Sequence, residues 1–184
     1  MAGVSDMTTF SAGNPPIFWS TTVYVRVSPA LAWPLWQRRA ELRRRAGPLL
    51  LAALAGGTAA SASAVAIGWA LGLPDELLRS LAPKSVTAPV AMGIAEQLGG
   101  IPALAAVFAV LTGLVGAISA KYLFDALGVA PAQIRGFALG TASHGIGAAR
   151  AMHVNPDAGA YAGLALGIQV LLAAVLIPLV ARLL

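Results

Sequence analysis

Two short stretches of this chain carry nearly all of its polar chemistry inside otherwise apolar surroundings. The first, residues 83–98 (PKSVTAPVAMGIAEQL), sets the hydroxyls of Ser85 and Thr87 between Pro83 and Pro89, with Lys84 alongside. Proline has no N–H, so in a helix Pro89 would leave the carbonyl of Ser85 without a partner. The second, residues 134–151 (IRGFALGTASHGIGAARA), places Thr141, Ser143 and His144 among Gly140, Gly145 and Gly147, with Arg150 following. Hydroxyls donate hydrogen bonds, an imidazole donates, accepts or titrates near neutral pH, and a guanidinium grips a carboxylate through two parallel bonds. These types together fit the recognition of a small anion. Ser85, Thr87, Thr141 and Ser143 are the expected donors, His144 a donor or proton-coupling group, and Arg150 the carboxylate anchor. Pro83, Pro89, Gly140, Gly145 and Gly147 are the expected helix breaks.

A plainer reading stands beside each assignment. The first stretch could be a kinked packing helix whose hydroxyls bond its own backbone, and His144 could be satisfied by a neighbouring helix carbonyl. Arg150 and Lys84 could snorkel to the headgroups, the reading preferred for Lys84. Helical spacing also puts Gly136, Gly140, Ser143, Gly147 and Arg150 on one small-residue stripe, which permits close approach of a second helix. Glu96, Lys121, Asp125, Arg135 and Asp157 read as loop charges.

The elements around these stretches are long apolar runs. Residues 49–73 contain no charge, and residues 101–120 and 158–181 form two further clean runs. About 20 apolar residues make one membrane-crossing helix, so all three are expected to span a bilayer. Pro102 falls in the first turn, where a missing N–H is harmless. The order of interrupted stretch, short loop and clean span occurs twice, with Ser85 and Thr87 falling opposite Thr141 and Ser143, 56 positions on. Paired interruptions in corresponding halves point to a transporter binding site. If both interrupted stretches cross the membrane, Lys121 and Arg135 lie outside. If both are re-entrant, those residues lie inside, which the positive-inside rule prefers.

Composition supports this reading. The chain is 58% hydrophobic and 10% charged with mean hydropathy +0.80, too apolar for a surface facing water all round. Net charge is +5, but Arg38, Arg39, Arg43, Arg44 and Arg45 sit together just before the first apolar run. Basic clusters at that place set orientation and touch anionic lipid, which argues against nucleic acid. With no cysteine, thiolate metal sites and cysteine nucleophiles are excluded. Neither a metal-ligand cluster nor a phosphate loop nor a nucleophilic triad is encoded, so neither enzyme activity nor a cofactor is expected. Residues 1–28 read as a poorly specified tail with no cleavable signal peptide, although Thr21–Val27 has local strand character. Residues 29–46 read as an interfacial approach to the membrane.

Residues 83–117 and 135–152, with their Pro-Lys-Ser-Val-Thr and Gly-Thr-Ala-Ser-His-Gly strings, resemble the signature stretches of the LrgB/CidB family. The resemblance covers about Ala30 to Leu184, making residues 29–184 one LrgB-like membrane domain. It implies an all-α, multi-pass protein of the bacterial inner membrane, partnered by the bilayer and a small LrgA/CidA-type membrane protein, with a homo-oligomer left open. Two functions follow from it: a carrier of small monocarboxylates of the pyruvate, glycolate or glycerate type, and a holin/antiholin-like regulator of murein hydrolase export and lysis. The polar residues favour the carrier. Family members usually carry further apolar spans upstream, and residues 1–28 do not resemble them. The expectation is therefore an N-terminally truncated form, arising from a misassigned start or frame or from a genuine short variant.

Overall fold

A computed structural model describes Trp36 and residues 39–183, so the expected tail lies outside the described residues. Those residues form helices and connecting turns, with no strand among them. In chain order they are α1 (Arg39–Arg44), α2 (Ala46–Ala70), α3 (Asp75–Leu81), α4 (Ala88–Leu98), α5 (Pro102–Ala126), α6 (Ala132–Val154) and α7 (Pro156–Leu183). The fold is all-α and polytopic: α2, α5 and α7 are long and apolar enough to cross a membrane. They occupy the three expected runs within a few residues, and α5 is longer than expected. Lys121 and Asp125 therefore lie in its last turns, not in a loop, joined by a 2.8 Å ion pair; Asp125 also meets Arg135 at 2.6 Å. Glu96, Arg135 and Asp157 likewise sit within helices near their ends. Gly72, Gly99 and Gly128, just beyond α2, α4 and α5, adopt positive φ, which glycine reaches without a Cβ clash.

Each interrupted stretch contains a chain reversal: residues 134–151 double back within α6, and residues 83–98 supply the turn and the returning arm of the α3–α4 hairpin. α6 is broken at His144, whose backbone is non-helical (φ 42°, ψ −134°). Past the break the chain doubles back: a Cβ on Gly147 would lie 2.8 Å from the carbonyl oxygen of Leu139. In a continuous helix those residues would be about 12 Å apart along the axis. The outgoing half, residues 132–143, lies against the start of α7, with Gly136 on Ala158 and Gly140 on Ala162. The returning half, residues 145–154, ends beside that same start, with Met152 against Gly159.

The first half of the molecule repeats the plan. α3 runs back along α2, setting Leu78 against Gly68 and the carbonyl of Ala82 on the hydroxyl of Ser61. The chain turns through residues 82–87, and α4 returns to the start of α5. There the N–H of Ile101 donates to Ser80 Oγ at 2.7 Å and Arg79 Nη1 donates to the Leu98 carbonyl at 3.1 Å. Ala91 and Ala95 of α4 share a buried cluster with Ala105 and Ala109 of α5. Ala148 and Ala151 of α6 share another with Ala158 and Ala162 of α7.

One hairpin thus enters where α5 begins and the other where α5 ends. The unit of hairpin plus long helix occurs twice in opposite senses, which deepens the weak repeat seen in the sequence. Arg39, Arg43, Arg44 and Arg45 belong to the same end of the bundle as Lys121 and Arg135, while Asp75, Glu76, Arg79 and Glu96 lie at the other. The chain has no cysteine, so single cysteines report topology cleanly. Cysteines at Ala130 and His153 are expected to react with an impermeant maleimide from one membrane face, and a cysteine at Leu71 from the other. Opposite faces for Ala130 and His153 would mean that α6 crosses.

Candidate functional site

The two hairpin tips meet. A Cβ on Gly145 would lie 4.0 Å from the Thr87 methyl, bringing together the first residue after the α6 break and the residue that precedes α4. α4 and the returning half of α6 therefore both begin at this junction. Each is 10–11 residues long, about 15 Å, roughly half the hydrocarbon thickness. A helix N-terminus presents free N–H groups and about half a positive charge. Two such ends side by side repel each other, and an anion between them would relieve both.

Sequence reasoning placed a break at Pro89, and the structure corrects its location. Pro89 occupies the first turn of α4, where its missing N–H costs nothing, and Thr87 precedes it in extended conformation (φ −62°, ψ 146°). Pro83 sits fully buried in the turn that makes the break. In α6 the glycines do not break the helix; His144 does. Gly140 and Gly147 allow close approach instead, since a Cβ on Gly140 would overlap the Ala162 backbone.

Ser85 Oγ and Thr87 Oγ1 are buried without a hydrogen-bond partner, and Ser85 is only 4% exposed. A buried hydroxyl without a partner costs about 1–3 kcal/mol. Ser143 is buried near the tip against Gly116 of α5, where a Cβ would overlap it. Thr141 takes the plainer role: its hydroxyl donates to the Phe137 carbonyl at 2.9 Å while its methyl faces Gly56. His144 is held by α5, with Nε2 donating to the Ala109 carbonyl at 2.7 Å, an approach that Gly113 makes room for. Arg150 departs from expectation. It lies on an exposed face of the returning helix, outside both cavities at the junction. Lys84, read from sequence as snorkelling, lies in the break itself. It lines a cavity of about 400 Å³ with Ser143, Thr112 and Gly116.

His144 combines a backbone conformation costly for any side chain with a bond that fixes the tip to α5. His144→Ala loses the bond and keeps the strain, whereas His144→Gly loses the bond and relieves the strain. Glycine is therefore expected to be the more stable variant by about 1–2 kcal/mol, measured by thermal denaturation in detergent.

Sequence reasoning missed Gln169. It is the amide side chain within the clean run 158–181, only 5% exposed, with Oε1 unpartnered. A lone polar group in a membrane-spanning run was the available signal. Gln169 and Ser85 line a second cavity of about 1090 Å³ between α2, the first hairpin and α7.

Comparison with known proteins places the chain in a family. The model of a family described as LrgB-like matches residues 13–183, reaching back into the segment expected as a tail. An uncharacterized protein of Haemophilus influenzae is 32% identical over 174 residues, covering 95% of this chain and 74% of its own length. Uncharacterized protein YwbG of Bacillus subtilis is 35% identical over 130 residues, or 71% of this chain and 58% of the relative. Holin-like protein CidB of Staphylococcus epidermidis is 26% identical over 160 residues, 87% of this chain and 70% of the relative. The chain thus spans between 58% and 74% of the length of these relatives. No solved structure matches it.

Proposed function

We propose that this chain, which belongs to the LrgB-like family, forms the substrate-binding core of an inner-membrane carrier for small monocarboxylates and works with an LrgA-type partner. One observation carries the reading: two half-length helices begin tip to tip inside the bundle, beside the unpartnered hydroxyls of Ser85 and Thr87. Half-helix N-termini aimed at an anionic group, in hairpins related by an inverted repeat, are a recurrent carrier design. Lys84 supplies a full positive charge at the same depth. The carboxylate would bridge the two helix starts, accepting from their free N–H groups, from Ser85 and Thr87, and from the Lys84 ammonium. The basic end would face the cytoplasm, by the positive-inside rule.

The test is uptake of labelled pyruvate and glycolate into vesicles containing the chain and its LrgA-type partner. Uptake is expected to saturate and to fall at least tenfold in Ser85→Ala/Thr87→Val. No uptake under a proton gradient would sink the carrier reading. The name of the holin-like relatives supports a second reading, regulation of lysis. That reading predicts dye leakage and altered autolysis on expression, unaffected by the same double substitution.

A further inference from the structure

The larger cavity follows α2 from Ala53 to Val65, a rise of about 18 Å, toward the end of the bundle remote from the basic cluster. Its inner part reaches Ala82, Pro83 and Val86, in the turn whose Lys84 lines the smaller cavity. Its outer edge carries Arg79 of α3 with Gln97 and Leu98 of α4, and both Arg79 and Gln97 are exposed. Most of the wall is apolar. Among the described residues that line it, Arg79 alone is charged.

Arg79 is held so that its charge stays available. Glu76 stands one turn earlier on α3, at a spacing where opposite charges commonly pair. The guanidinium reaches across to α4 instead, where Nη1 donates at 3.1 Å to the carbonyl of Leu98, the last residue of that helix. This bond uses one of its five N–H donors, and no ion pair resolved among the described residues includes Arg79. The partly negative end of α4 thus anchors the side chain and leaves a full positive charge at the rim. Asp75, Glu76 and Glu96 lie exposed at the same end, and none of them lines the cavity. They oppose the approach of an anion, so an anion path through this face needs a local reversal of sign, which Arg79 supplies. Walls of low dielectric concentrate such a field along a cleft and raise the entry rate of counter-ions by roughly 10- to 1000-fold.

We propose that this cavity is a water-filled vestibule through which small anions reach the α3–α4 turn from the face remote from the basic cluster, and that Arg79 sets its selectivity by admitting anions and turning cations away. This rests on the carrier reading only for the anion being a transported carboxylate; the vestibule and its charge selectivity belong to the empty protein. Arg79 acts on the ligand before it is bound, outside the cavity that Lys84 lines. Its removal therefore slows capture and leaves the saturated rate unchanged. An arginine that merely fastened α3 to α4 could be replaced by glutamine without loss, since glutamine also donates to a carbonyl.

The chain has no cysteine, so Leu172→Cys, on the α7 wall of the cavity, gives a single thiol that reports what enters. The experiment measures its modification by two small methanethiosulfonates, one ending in a sulfonate and one in a trimethylammonium, each rate divided by that with a free thiol in solution. It is repeated with Arg79→Gln, Arg79→Lys or Gln97→Glu added. The anionic reagent is expected to be favoured by about tenfold or more, and less so as salt is raised. Arg79→Gln should abolish the preference and Arg79→Lys should keep it. Gln97→Glu sets an opposing charge at the same rim, on an exposed position, and should also abolish it, which keeps the test decisive if Arg79→Gln fails to fold. No reaction with either reagent, as for a cavity filled by an acyl chain, overturns the proposal. So does equal reaction with both, a preference that survives Arg79→Gln or Gln97→Glu, or one that Arg79→Lys loses. In vesicles, Arg79→Gln should lower uptake at limiting pyruvate by about tenfold with the saturated rate unchanged. An anion preference in a protein showing no uptake would uphold the vestibule and refute the carrier. Saturable uptake with an unreactive Leu172→Cys would do the reverse.

Discussion

Replacing Lys84 by methionine is expected to lower carboxylate uptake by about 100-fold or more, while leaving the protein inserted and slightly more stable without substrate. The two effects share one cause. A cation at membrane depth costs roughly 2.5–3.5 kcal/mol to place there. Lys84 lies in the turn between α3 and α4, lining a cavity with Ser143 and Thr112, and none of the ion pairs resolved among the described residues includes it. Methionine keeps the length and removes the charge, so the empty protein gains while the anion-loaded state loses a charge-assisted bond. Removing one partner of a buried charge pair typically costs about 3–5 kcal/mol, which sets the size of the uptake defect. Lys84→Arg should recover part of the uptake, limited by the fit of a wider guanidinium into about 400 Å³. Arg150→Ala is the control, since its exposed position predicts uptake within about twofold of normal. The measurements are vesicle uptake and the thermal midpoint without ligand. Normal uptake in Lys84→Met would return this lysine to the snorkelling role.

Gly140→Val is expected to have the largest effect on folding. A Cβ at Gly140 would overlap backbone atoms of Ala162, and α7 cannot yield there without carrying Ala158 and its contact with Gly136 along. Overpacking in a tight core costs about 1–3 kcal/mol, and backbone atoms put this case at or above the upper end. Detaching the outgoing half of α6 from α7 also pulls the tip away from Thr87, so substrate binding should fail together with stability. Gly167→Val, on α7 itself, has no atom within 4 Å of its Cβ position and should stay within about 0.5 kcal/mol of the parent. Thermal denaturation in detergent distinguishes the pair, and equal midpoints would refute the role given to the Gly140–Ala162 contact.

Much of the architecture was legible in the residues. Three uninterrupted apolar runs dictate three long helices, because in a bilayer the backbone must satisfy its own hydrogen bonds. The two polar interruptions and their 56-residue spacing marked where the helices break, and the small residues of the second marked a close helix contact. Ser85, Thr87 and Ser143 could be singled out because each is polar in an apolar setting.

Which residues converge was not legible, because convergence depends on where each chain reversal falls. Prolines and glycines permit a reversal but do not locate it. In α6 it falls on His144, where packing on α5 and the bond to Ala109 hold a backbone conformation that the residue type alone disfavours. That placement turns Arg150 out of the site and aligns the start of the returning helix with α4. Lys84 reaches the break for the same kind of reason: the turn from α3 to α4 buries Pro83, Ser85 and Val86, and leaves Lys84 half-buried beside them. Gln169 joins the wall of the larger cavity only once α2 packs beside α7 and Gly57 makes room for it. The sequence by itself determined a membrane protein with three spans and two polar interruptions, because hydrophobic length and backbone hydrogen bonding are local properties. Only the tertiary structure decided that the interruptions lie in opposed hairpins meeting tip to tip, because that follows from contacts between helices far apart in the chain.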